Sequence, residues 1–113
     1  MSVRKLVPNT VVVNSYINVF AVAGDIEKAE NCYFGMDRSL FKPDLGTLNS
    51  LINASSSSHC FDRAKKWFRE IAKSGMKPDT YSYGHIISAA SKSDFPKDAF
   101  GYFKEVFKFW LKS

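Results

Sequence analysis

The sequence predicts an all-α fold, an α-solenoid of about three helix–turn–helix repeats of 35 residues each. Lys42-Pro43-Asp44 returns 35 residues on as Lys77-Pro78-Asp79. Asn14-Ser15-Tyr16-Ile17-Asn18 returns as Asn49-Ser50-Leu51-Ile52-Asn53, and again as Gly84-His85-Ile86-Ile87-Ser88. Ala29, Ala64 and Ala99 keep the same step, as do Tyr33, Phe68 and Phe103, and Met36, Ile71 and Val106. A fixed period of this size marks stacked units, each too small to bury its own apolar face without a neighbour. The frame sets the repeats at 10–44, 45–79 and 80–113, with 1–9 as the end of a preceding or partial repeat.

In the first repeat, Val12, Val13, Tyr16, Ile17 and Phe20 recur at helical spacing and predict a helix from Thr10 to about Ala23. Gly24 stops it in the manner of a left-handed cap. Asp25 suits the N-cap of a second helix reaching about Ser39, with Ile26, Ala29, Tyr33 and Met36 inward. Leu40 to Asp44 is the connector, because Pro43 forbids a continuing helix.

The second repeat copies this plan. Leu48, Leu51 and Ile52 face inward on its first helix, and Phe61, Ala64, Trp67, Phe68 and Ile71 on its second. Ser55 to Ser58 stand where the first helix should end, and serine competes for backbone hydrogen bonds, so this corner is expected to fray or widen. A plain turn is the expected reading there, ahead of a phosphorylation site. Gly75 ends the second helix.

In the third repeat, Tyr83, Ile86, Ile87 and Ala90 carry the first helix, and Asp94 is the expected N-cap of the last, with Pro96 in its first turn. That last helix has no Lys-Pro-Asp ending. Phe100, Phe103, Phe107 and Trp110 recur along it at three- and four-residue spacing, with Phe109 beside them. A bare aromatic face of this kind marks a contact surface, so Phe107, Phe109 and Trp110 are the expected partner-docking residues.

Net charge is +5, unevenly spread: −2 over 10–44, +3 over 45–79 and +2 over 80–113. A basic balance points toward nucleic acid or an acidic surface. The basic cluster is Arg63, Lys65, Lys66, Arg69 and Lys73 on a second helix, whereas Thr10–Ala23 and Leu45–Ser58 contain no Lys or Arg. Cys32 and Cys60 fit no disulfide framework or zinc spacing. His59 and His85 stand apart from any carboxylate or thiol arrangement of recognised spacing. No nucleophile motif or phosphate-cradling glycine loop is present, so no enzyme, cofactor, metal or small-molecule substrate is expected. No apolar run approaches the ~18 residues of a membrane span. Met1 to Val7 is too short for a targeting peptide.

Val11-Val12-Val13-Asn14-Ser15-Tyr16-Ile17-Asn18, Ala23-Gly24-Asp25-Ile26-Glu27-Lys28-Ala29 and the two Lys-Pro-Asp endings resemble the pentatricopeptide repeat family over residues 8 to about 108. The resemblance implies single-stranded RNA binding in a mitochondrion or chloroplast, one base per repeat, along the first helices. It implies base-reading pairs at Asn14 with Asp44 and Asn49 with Asp79, read as uridine, and a base wedge at Val11. It places a phosphate-facing lysine at Lys92, with Val22 and Ser57 at the matching positions. In the third repeat Gly84 stands at the reading position, and in the second Gly46 replaces the wedge. The residues alone leave Asn14 and Asn49 free to bond backbone, and Asp44 and Asp79 free to cap the next helix.

The second expectation is a scaffold subunit in a large organellar assembly. There the aromatic last helix meets a neighbouring protein, and Arg63, Lys66 and Arg69 meet phosphate or an acidic surface.

Overall fold

In a computed structural model, the described residues are 10–36 and 42–112, with the side chains of Phe109, Trp110 and Lys112 left aside. They form six helices: α1 (Thr10–Ala23), α2 (Ile26–Gly35), α3 (Leu45–Ser57), α4 (Phe61–Lys73), α5 (Thr80–Lys92) and α6 (Pro96–Lys112). α2 ends before the expected Ser39: Met36 is its C-cap, with extended backbone (φ −79°, ψ 140°), because the chain already turns out of the helix there. The start of the connector and residues 1–9 lie outside the described residues.

α1 packs on α3 and α3 on α5, forming an inner row, and each inner helix also packs on the second helix of its own hairpin. The outer helices α2, α4 and α6 do not approach one another at the backbone. An inner row set closer than the outer row curves the stack with α1, α3 and α5 on its concave side. The radius of gyration is 15.1 Å, against about 13 Å for a compact domain of this length, as a single file of hairpins requires.

The core runs unbroken through the stack: Val13, Ile17 and Ala21, then Leu48, Leu51 and Ile52, then Phe61, Ala64, Trp67 and Ile71, then Ile86, Ala89 and Ala90. Each inner helix needs two apolar rows, one for the hairpin behind and one for the hairpin ahead. In α3 and α5 the backward rows, Thr47-Leu51-Ala54 and Ser82-Ile86-Ala89, are fully buried. The same register in α1 is Val12, Tyr16 and Val19, all more than half exposed. Val12 and Tyr16 therefore do not share the core with Val13 and Ile17.

The turns repeat with the sequence. Gly24, His59 and Asp94, each 35 residues apart, all adopt positive φ (72°, 59° and 64°). The following backbone N–H then reaches back five residues, Asp25 to Phe20 O (2.9 Å), Cys60 to Ser55 O (2.8 Å) and Phe95 to Ala90 O (2.8 Å). This closes the helix end as a Schellman turn does. Asp94 is therefore not the N-cap of α6. It holds the left-handed turn position, and α6 begins at Pro96, whose missing N–H costs nothing in a first turn. Asp25 does cap α2, accepting from the Lys28 N–H at 3.1 Å.

The serine corner neither frays nor widens. α3 continues through Ser57, and Ser55 and Ser56 are buried. Ser55 Oγ donates to its own helix at Leu51 O (2.9 Å), and Ser56 Oγ donates to Ser88 Oγ on α5 (3.2 Å). Ser58 Oγ donates to Gly24 O (2.6 Å) and accepts from the Ile26 N–H (3.2 Å), so it ties the second turn to the first. The hydroxyls of Ser56 and Ser58 are thus used between hairpins. Cys32 and Cys60 are free thiols, both half-buried.

Candidate nucleic-acid interface

The inner row sets Asp44 and Asp79 at the starts of α3 and α5. Each aspartate is an N-cap with a full capping box: Asp44 Oδ1 accepts from the Thr47 N–H (3.0 Å), and Asp79 Oδ1 from the Ser82 N–H (2.9 Å). In return Thr47 Oγ1 and Ser82 Oγ accept from the aspartate N–H groups (3.2 and 3.1 Å). Proline just before each aspartate holds the chain extended at the point where the helix must start.

Each cap is then joined to the preceding inner helix. Asn14 Nδ2 donates to Asp44 Oδ1 (3.0 Å), and Asn49 Nδ2 donates to Asp79 Oδ1 (3.0 Å). Thr47 Oγ1 donates to Asn14 Oδ1, and Ser82 Oγ to Asn49 Oδ1. The structure therefore brings together both expected pairs, in two copies of one geometry. One oxygen of each aspartate both caps its helix and receives the asparagine amide. The hydroxyl that locks the amide was missed by sequence reasoning. Its signal was present as Asp-x-x-Thr and Asp-x-x-Ser, the spacing of a capping box.

Burial raises the Asp44 and Asp79 carboxyl pKa values, but the hydrogen bonds from asparagine, hydroxyl and backbone outweigh it and hold both below the ordinary carboxylate value. Each pair is thus a fixed anion beside a fixed amide. With Oδ1 and the amide carbonyl engaged, each pair keeps Oδ2 as an acceptor and one amide N–H as a donor. The two sites differ in access: Asp44 is exposed, while Asn49 is only 9% exposed.

Gly46 lies against the first pair. A Cβ there would stand 3.2 Å from Asn14 Nδ2 and 3.3 Å from Asp44 Oδ1. Gly84, at the register of the two asparagines, has open space around it. Val11 is 72% exposed, and Tyr81, at the same register of the third hairpin, is 71% exposed, a ring the sequence reading did not single out. Lys92 is exposed in the last turn of α5. His85 lies half-buried on that helix, and burial lowers its pKa against the raising effect of Asp79.

The other expected contact residues lie on the outer row. Arg63 pairs with Glu30 (3.3 Å), Lys66 Nζ lies over the rings of Phe34 (5.8 Å) and Trp67 (5.6 Å), and Arg69 is exposed. Phe107 is exposed on α6, while the side chains of Phe109 and Trp110 lie outside the described residues. No group of His, Cys, Asp and Glu able to hold a metal occurs among the described residues, and none of their helices is long and apolar enough to cross a membrane.

The PPR repeat family model matches residues 11–39, 46–76 and 81–110. The fold is similar to two crystal structures of the pentatricopeptide repeat protein PPR10 in complex with an 18-nt psaJ RNA element, the second carrying three Cys-to-Ser changes. Both superpose with a TM-score of 0.81 at 30% identity, over 93% of this chain and 16% of theirs. This chain thus spans about a sixth of the length of those proteins. No curated protein matches the chain. Three matched repeats covering most of the sequence, on hairpins that stack in the same way, place the chain in the pentatricopeptide repeat family.

Proposed function

We propose that the concave row α1–α3–α5 binds single-stranded RNA, one base per hairpin, with Asn14/Asp44 and Asn49/Asp79 each receiving a uridine. The observation that supports this most directly is the pair geometry. Each amide is held by Asp44 or Asp79 on one side and by Thr47 or Ser82 on the other. The remaining amide N–H and carboxylate oxygen of each pair suit a uracil edge, which offers a carbonyl acceptor beside an N–H donor. Val11 supplies a wedge between bases and Lys92 a phosphate contact. The solved relatives were crystallised on RNA, and the family resemblance gives a mitochondrial or chloroplast transcript as the natural target.

Magnitudes bound the affinity. A well-held base contributes roughly 1–3 kcal/mol, while association costs about 4 kcal/mol or more in lost freedom. Two bases with one inner-row lysine make a weak site, so the module works within a longer array or a larger assembly. The role is binding, with no reaction assigned.

The test is fluorescence anisotropy with short oligouridylate and oligoadenylate at low salt. Tighter uridylate binding that weakens with added salt, and shows a reduced base preference in Asn14→Ala, supports the reading. Equal binding of both oligonucleotides by the intact chain overturns it.

A further inference from the structure

We infer that Lys42 and Lys77, in the connectors that lead into α3 and α5, hold the phosphate backbone of the bound strand, one phosphate for each Asn/Asp pair, an assignment that rests on the RNA reading. α1 and α3 carry no charged residue, and α5 carries only Lys92 beside the half-buried His85. The fixed charges at the starts of the inner helices are therefore the Asp44 and Asp79 carboxylates, which repel a polyanion. Phosphate contacts normally supply a large share of the affinity for nucleic acid, so a strand that lies across these anions needs cations beside them.

Each aspartate has a lysine two residues before it, at the same 35-residue step as the pairs. Both lysines are exposed, and neither meets a carboxylate among the described residues. Thr10 Oγ1, on the first residue of α1, donates to Lys42 O at 3.2 Å. The Lys42 backbone is thereby fixed at the rim where the inner helices begin. Pro43 and Pro78 follow the two lysines. A residue before proline is confined to extended backbone, so both lysines leave the chain from one conformation.

The outer-row cations are placed differently. Lys28 pairs with Asp25 (3.8 Å), Arg63 with Glu30 (3.3 Å) and Lys65 with Asp62 (3.7 Å), while Lys66 lies over the Phe34 and Trp67 rings. Arg69 and Lys73 are exposed, but on the outer helix α4. One base per hairpin brings one phosphate per hairpin, and Lys42 and Lys77 come at that step. A rim of alternating lysine and aspartate suits RNA, whose bases donate N–H groups while its phosphates are anionic. An acidic peptide fits less well, because it offers carboxylates to both.

The experiment is fluorescence anisotropy on the whole chain, with labelled oligouridylate and oligoadenylate over a series of salt concentrations. Lys42→Ala with Lys77→Ala is expected to weaken oligouridylate binding about tenfold at low salt. It should also lower the slope of log K against log salt by about 1.4, or ~0.7 for each phosphate contact on a single strand. The preference for uridylate over adenylate stays, because the lysines touch no base. Lys42→Arg with Lys77→Arg restores the slope. Lys73→Ala with Lys104→Ala removes the same net charge from the outer row and leaves the slope unchanged. Both connector lysines are exposed and unpaired, so a circular-dichroism melt matching wild type separates lost contacts from lost folding. An unchanged slope in the connector alanine variant, while the wild type still prefers uridylate, overturns the inference and leaves the RNA reading standing. An equal fall in the outer-row variant also overturns it, since net charge alone then accounts for the effect. Absence of oligouridylate binding by the wild type overturns both.

Discussion

Trp67 donates its indole N–H to the Glu30 carboxylate at 2.7 Å, across a gap that the backbones of α2 and α4 do not close. Arg63 takes the other oxygen at 3.3 Å, and the Tyr33 ring meets the Trp67 ring edge-on at 4.8 Å. The outer rows of neighbouring hairpins are thus joined through long side chains alone. Glu30→Ala leaves a buried donor unpaired and is expected to cost about 1–3 kcal/mol in urea unfolding. Glu27→Ala, on the exposed side of the same helix, should change stability by less than about 0.5 kcal/mol. Equal effects of the two would show that the joint contributes nothing specific.

Gly46 decides the shape of the first Asn/Asp pair. The family resemblance alone would put an apolar wedge there and expect a gain in RNA affinity from Gly46→Val. The geometry argues against that gain, because the added Cβ would stand 3.2 Å from Asn14 Nδ2 and 3.3 Å from Asp44 Oδ1, in a pair already held by other hydrogen bonds. Both contacts are tight, so the pair would have to give by a few tenths of an ångström. Weaker oligouridylate binding by anisotropy, with folding retained by circular dichroism, is the expected outcome. Tighter binding would show that the pair yields easily.

Asp79 combines an N-cap with the anchor of Asn49. Asp79→Ala removes both and is expected to destabilise by about 1–2 kcal/mol at neutral pH, measured by chemical denaturation. The pH dependence follows from the lowered carboxyl pKa. The carboxylate's contribution is fully present above the unfolded value of about 3.9 and is lost as pH falls through the lower folded value. Wild type should therefore lose stability on acidification below about pH 4 more steeply than Asp79→Ala. Parallel acid limbs would show that the cap carries no charge-dependent part.

His59 holds a left-handed turn (φ 59°) that glycine holds at position 24. A side chain in that region costs about 1–2 kcal/mol, and glycine returns about 0.5–1 kcal/mol through unfolded-state entropy. His59→Gly should therefore stabilise by about 0.5–1 kcal/mol, seen as a raised melting temperature. A lowered one would mean that the imidazole makes a contribution larger than the strain.

The periodicity of the sequence determined the helical class, the stacking and most of the core. Ile26, Ala29, Tyr33, Leu48, Leu51, Ile52, Phe61, Ala64, Trp67 and Ile71 are buried because apolar spacing on a helix leaves one face to turn inward. The Asn and Asp positions were also legible, through Lys-Pro-Asp and its resemblance. Tertiary structure decided what spacing along one chain cannot express. It left Val12 and Tyr16 exposed on α1, while the same register of α3 and α5 is buried in the stack. It turned the serine corner from a weak point into a tie between hairpins, since Ser56 and Ser58 find partners more than 30 residues away. It moved Asp94 from cap to turn, because the third corner follows the backbone of Gly24 and His59, whatever side chain it carries. And it locked each asparagine between an aspartate and a hydroxyl. Hydrogen bonds form between surfaces brought together by packing, and a sequence records only the residues that await them.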